Sequence, residues 1–72
     1  MKIKIPQNIK RLLAAIREKR ISQKLSQREA ALLAGMRKNQ WQKIEAGIVD
    51  ARASTLISMA AAVKLSVKIE ID

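Results

Sequence analysis

Cysteine and histidine are both absent from these 72 residues, and each absence removes a branch of chemistry. Without cysteine there is no disulfide framework and no thiolate metal site. Without histidine there is no imidazole for acid–base catalysis or zinc ligation. Phenylalanine and tyrosine are missing too, and Trp41 is the one aromatic residue. Single-strand binding by base stacking uses several aromatic platforms, so one indole is too few. No apolar run approaches the ~20 residues of a membrane span. The opening residues MKIKIPQ lack the apolar core of a signal peptide, so the chain is expected to be soluble and cytoplasmic. No glycine-rich phosphate loop and no convergent carboxylate pair is apparent, and Glu29 and Glu45 have structural explanations. The expectation is therefore a protein with no enzymatic activity, no cofactor and no metal.

Acids are the other scarce class. Six Asp and Glu face 15 Lys and Arg, for a net charge of +9 and a pI near 10.8. The excess is uneven, since residues 1–46 hold twelve of the bases and three of the acids. A polyanionic partner is the natural inference, against the blander reading of a surface charged for solubility. So short a chain makes one domain, 1–72, with a core of marginal size, and a second copy is a reasonable expectation.

What is present is helical periodicity with patterned ends. Pro6, Gln7 and Asn8 open a first helix in which Ile9, Leu12, Leu13 and Ile16 keep the i, i+3, i+4, i+7 spacing of a core stripe. A second helix starts at Ser26, with Glu29 completing a capping box, and ends at Gly35. A third runs from about Arg37 to Ala46 and stops at Gly47. A fourth, after the loop Ile48–Arg52, is expected to bury Leu56, Ile57, Met59, Ala60 and Val63. At the ends, Ile3 and Ile5 alternate with lysines, and Val67, Ile69 and Ile71 alternate with Lys68, Glu70 and Asp72. Both are period-2 strand patterns, over 1–6 and 65–72. A lone strand has nothing to pair with, so the two pair either within one chain or across a dimer. The basic first strand suits the acidic last one, and a sheet shared between two subunits is the favoured arrangement.

Residues 26–47 form a bihelical unit hinged on a glycine turn, of a size to enter a DNA major groove. Arg20, Leu25, Ser26, Gln27, Glu29, Ala31, Gly35, Ile44, Glu45 and Gly47 sit at the spacing of the lambda-repressor-like helix-turn-helix domain, or Xre family, which the chain resembles from about Lys19 to Leu65. Within that family it is most similar to HipB-type antitoxins, which also follow the fourth helix with a strand. The resemblance implies a mostly α fold: a four-helix DNA-binding domain with short terminal strands.

The same resemblance implies roles. Gln27, first in the second helix, and Ser26, its cap, contact a backbone phosphate at an anion-friendly helix start. Lys38, Asn39 and Lys43 reach base edges, with Gln40 and Gln42 as amide-bearing alternates, because Asn pairs with adenine and Lys donates to guanine. Arg37 contacts phosphate. Arg20 and Glu45 form an ion pair that holds the third helix in register and keeps one arginine facing DNA. Trp41 packs in the core, and Gly35 supplies a positive φ.

The chain also departs from its relatives. Arg37 stands where Ser or Thr usually caps the third helix, and Arg52 replaces a polar cap before the fourth, traded for a phosphate contact. Lys24 replaces a common glycine. Leu32 and Leu33 occupy usually polar positions, either covering the terminal strands or forming a patch for a protein partner. The expected function is a dimeric repressor on a palindromic double-stranded operator in a bacterial cell, the antitoxin of a toxin–antitoxin operon. The alternatives are a phage-type or chromosomal regulator without a toxin and, more remotely, a basic membrane-surface or RNA-binding protein.

Overall fold

Four short helices carry the fold in this computed structural model, which describes the backbone of residues 2–5 and 9–71 and the side chains of 9–67. They are α1 (Ile9–Ser22), α2 (Gln27–Leu33), α3 (Lys38–Glu45) and α4 (Ala53–Ala62). Two four-residue strands, β1 (Lys2–Ile5) and β2 (Lys68–Ile71), run parallel within the one chain, with Lys4 opposite Glu70 and Ile3 opposite Ile69. The expected opening of α1 at Pro6–Asn8 lies outside the described residues, as do the side chains of Ile3, Ile5, Ile69 and Ile71.

The core collects one stripe from every helix. Leu12, Leu13 and Ile16 of α1 meet Ala30 and Ala31 of α2, Trp41 and Ile44 of α3, and Leu56, Met59 and Ala60 of α4, with Val63 just beyond. Two alanines let α2 approach closely, and Trp41, the largest fully buried side chain, fills the space they leave. Ile57 corrects the sequence reading. It is 47% exposed, because at about 100° per residue Leu56, Met59, Ala60 and Val63 already fill the inward stripe. Ile57 is carried onto the outer flank beside Ser58.

All four helices end the same way. A residue in the left-handed region follows each, Lys24 (φ 56°), Gly35 (71°), Gly47 (76°) and Lys64 (59°). A six-to-one hydrogen bond then closes each turn: Leu25 N–H to Arg20 O, Met36 to Ala31, Ile48 to Lys43 and Leu65 to Ala60, at 2.8–3.1 Å. This is the Schellman arrangement, which satisfies carbonyls at the helix end and brings an apolar residue back onto the helix. Leu25, Met36 and Leu65 pack against the core accordingly. Ile48 does not, and is 73% exposed.

The helix starts differ. Ser26 caps α2 and is not its first turn: its hydroxyl accepts from Glu29 N–H, and the Glu29 carboxylate accepts from Ser26 N–H, both at 3.0 Å. Arg37 caps α3 and Arg52 caps α4 with no side-chain hydrogen bond. The third helix is thus one residue shorter at each end than its sequence suggested, with Arg37 and Ala46 as flanking caps.

Candidate nucleic-acid interface

The outward side of α3 is built by subtraction. Trp41 and Ile44 turn inward and are buried, Glu45 is nearly so, and the remaining side chains, Lys38, Asn39, Gln40, Gln42 and Lys43, are all exposed. Two ammonium groups and three amides therefore share one short rod with no apolar interruption. Arg37 is exposed at its head. Asn39 and Lys43 are four residues apart and so lie one above the other on one face.

The rod's orientation is set by a buried charge network. Arg20 of α1 donates through Nε to Glu45 Oε2 at 3.0 Å and through Nη2 to Oε1 at 2.9 Å, a two-toothed pair. Its third nitrogen, Nη1, donates to the Leu25 carbonyl at 2.9 Å. The two side chains are 12% and 4% exposed, so the guanidinium is spent inside the protein and does not face outward. Trp41 Nε1–H also donates to Glu45 Oε2. The carboxylate thus ties α1 to two turns of α3, and Arg20 adds the α1–α2 turn through the Leu25 carbonyl. The sequence reading placed Trp41 in the core but missed its polar role, although an indole N–H and a carboxylate four residues apart on one helix face are a detectable pair.

Beside α3 stands the start of α2. Ser26 is exposed and Gln27 half-buried at its first position. The Ser26 backbone N–H, donating to the Glu29 carboxylate, favours its charged form with the Ser26 side chain adding to it, and holds that carboxyl below the usual glutamate range. Arg52, exposed, heads α4. Leu32 and Leu33 are 72% and 64% exposed, so most of each side chain is left uncovered. Val67 packs against the core's edge.

Among the described residues no cluster of acidic side chains is arranged to hold a metal ion. None of the described helices is long and apolar enough to cross a membrane. Gln23 is a further contributor that the sequence reading passed over. Its side-chain amide donates to the Val63 carbonyl and to that of Lys19, tying the end of α1 to the end of α4.

No curated protein and no solved structure matches the chain. A family model described as helix-turn-helix matches residues 16–68, which take in the whole of α2, α3 and α4 together with the Arg20–Glu45 pair. That span is most of the protein, and the chain belongs to the helix-turn-helix family, Xre-like, of DNA-binding transcription regulators.

Proposed function

We propose that the protein is a sequence-specific repressor that binds a palindromic operator as a homodimer and is the antitoxin of a toxin–antitoxin operon, controlling that operon itself. The observation that carries the DNA reading is the outward side of α3, where every exposed side chain is a cation or an amide. In this reading Lys38, Asn39 and Lys43 address base edges in the major groove, with Gln40 and Gln42 alongside. Ser26, Gln27, Arg37 and Arg52 hold phosphates, where helix N-termini and positive charge act together. Arg20, Glu45, Trp41 and Gly35 support the reading helix without touching DNA.

Two reading helices about 34 Å apart would meet successive major grooves. The second copy is brought in through the terminal segments. β1 and β2 each leave an unpaired outer edge in the one chain, and pairing of those edges between subunits would extend the sheet through Ile3, Ile5, Val67, Ile69 and Ile71. The antitoxin role draws on the exposed Leu32 and Leu33, which offer a foreign protein an apolar foothold. A regulator without a toxin shares the same reading unit, and co-purification with a second protein of the operon separates the two.

The test is selection of duplexes from a random pool, followed by competition. A selected palindrome should outcompete random duplex at about 150 mM salt, and affinity should fall by roughly 10³–10⁵ between about 50 and 200 mM if 6–10 phosphates are neutralised. Equal competition by random duplex overturns the sequence-specific reading.

A further inference from the structure

The four Schellman turns share one geometry, and in one of them it delivers an apolar side chain to the outside. In each, the residue after the left-handed one donates its N–H to a carbonyl five residues back and is drawn toward that residue's side of the helix. In three turns that side is inward. Arg20 is committed to Glu45, and Ala31 and Ala60 are buried, so Leu25, Met36 and Leu65 land on the core. In α3 the residue five back is Lys43, which is exposed, as is Gln42 before it. The turn that packs its three counterparts therefore carries Ile48 to the outward side of α3. Ile48 is the most exposed large apolar side chain among the described residues. A lone exposed isoleucine is ordinary in itself. What sets this one apart is its place, at the tail of a helix whose outward side chains are all cations and amides.

Resting on the base-reading role proposed for α3, we infer that Ile48 reads thymine, by van der Waals contact with the C5-methyl group. The ligand follows from what the major groove displays. Its floor offers hydrogen-bond donors, acceptors and one apolar group, the thymine methyl. Lys38, Asn39, Gln40, Gln42 and Lys43 answer the donors and acceptors, and none of them ends in an apolar group. Ile48 ends in nothing else. Its position suits the task as well. Eight residues of helix span about 12 Å, close to the ~12 Å width of the groove. With Asn39 over the base edges near the head, a side chain just past the tail stands toward a groove wall. The methyl projects on that side, because C5 lies at the base edge nearest its own backbone. Isoleucine is also stiff at χ1, so little freedom is lost in holding it against a methyl. The loop makes no competing grip on phosphate. Residues 48–51 contain no cation, and the duplex backbone would repel Asp50, so the loop meets the duplex through Ile48.

Competition binding of the full chain to its selected operator tests this, with thymines replaced one at a time by deoxyuridine, which removes only the methyl. Wild type should lose about 4-fold in affinity per half-site at one thymine position, the worth of one buried methyl. Ile48→Ala alters an exposed side chain and should keep the helical circular dichroism. It should bind the thymine operator less well than wild type and be indifferent to uracil at that position. Val49→Ala, one residue on, should retain the wild-type sensitivity. Thymine reading by Ile48 is overturned if wild type is indifferent to every uracil, if Ile48→Ala stays sensitive, or if Val49→Ala does not. An Ile48→Ala loss that is equal on all duplexes also overturns it, and would place the side chain against deoxyribose. In each of these cases the base-reading role of α3 stands, provided that selection has returned a consensus. Selection that returns none overturns that role and this inference together.

Discussion

α3 and α4 are near twins on the inside and opposites on the outside. Each is entered through an arginine that makes no capping hydrogen bond and left through a left-handed residue in a Schellman turn. Each buries a stripe against the same core. Outward, α3 presents Lys38, Asn39, Gln40, Gln42 and Lys43, whereas α4 presents Ser54, Ile57, Ser58 and Ala61. The inward stripes answer to folding, so they agree. The outward stripes are free of that demand and differ, cations and amides on α3 against small uncharged residues and Ile57 on α4.

The twins also differ in anchoring, and breaking the anchor is the largest effect expected. Glu45→Ala leaves the Arg20 guanidinium buried without its partner, and Trp41 without an acceptor. Loss of one member of a buried pair costs about 3–5 kcal/mol, which should show as a large fall in the urea midpoint. Trp41→Phe removes the N–H donor together with part of a fully buried ring, so its cost should combine about 1.5–3 kcal/mol for the lost hydrogen bond with a cavity penalty. If Glu45→Ala unfolds at the wild-type midpoint, the network does not hold α3.

Next in size are changes on the outward side of α3, which should spare stability and move recognition. Asn39→Ala is expected to relax preference at one base pair at a cost of ~1–3 kcal/mol, read by repeating the duplex selection. Gln27→Ala should weaken all duplexes about equally. A selective loss would move Gln27 from phosphate holding to base reading.

Much of this arrangement is legible from residues, and what is not has physical causes. Gly35 and Gly47 announce their turns because glycine alone adopts positive φ without a Cβ penalty. Lys64 adopts the same conformation, and nothing in a lysine reveals it: tertiary packing of Leu65 holds the turn closed. Leu56 and Ile57 are adjacent apolar residues, and a 3.6-residue period accommodates either as the inward one, which is why Ile57 is misplaced by pattern alone. The pairing of Arg20 with Glu45, 25 residues apart, came from likeness to a family and has no local signature. The polarity of α3's exposed side is plain in the sequence, but the spending of Arg20 on Leu25 and Glu45 needs coordinates. A further shallow groove, lined by α1 residues from Lys10 to Ile21 and by Glu45, Ala46 and Gly47, is indicated by no sequence pattern.

The uncapped starts of both helices permit a sharper comparison. Arg37→Ser and Arg52→Ser would each install a hydroxyl able to accept from the first turn, and a capping side chain is worth about 1 kcal/mol. Thermal unfolding should rise for each variant. Operator affinity should fall for both and the salt slope should shrink by about 1 per arginine. Stabilisation without loss of affinity would mean that the arginines make no phosphate contact.

The smallest effect concerns α2, whose start carries a capping box. The Glu29 carboxyl titrates below its usual range because Ser26 hydrogen-bonds its charged form. A group whose folded pKa is depressed adds stability above the pH where the unfolded glutamate titrates, and that share disappears as pH falls through the lower folded value. Wild type should thus lose a small increment of stability on acidification across that window. Glu29→Gln, which keeps a side-chain acceptor but cannot titrate, should show a flatter acid limb, while Arg37→Ser and Arg52→Ser should leave the limb unchanged because no carboxylate serves those starts. Acid unfolding followed by circular dichroism distinguishes them, and an acid limb identical in Glu29→Gln and wild type would place the proton uptake elsewhere in the chain.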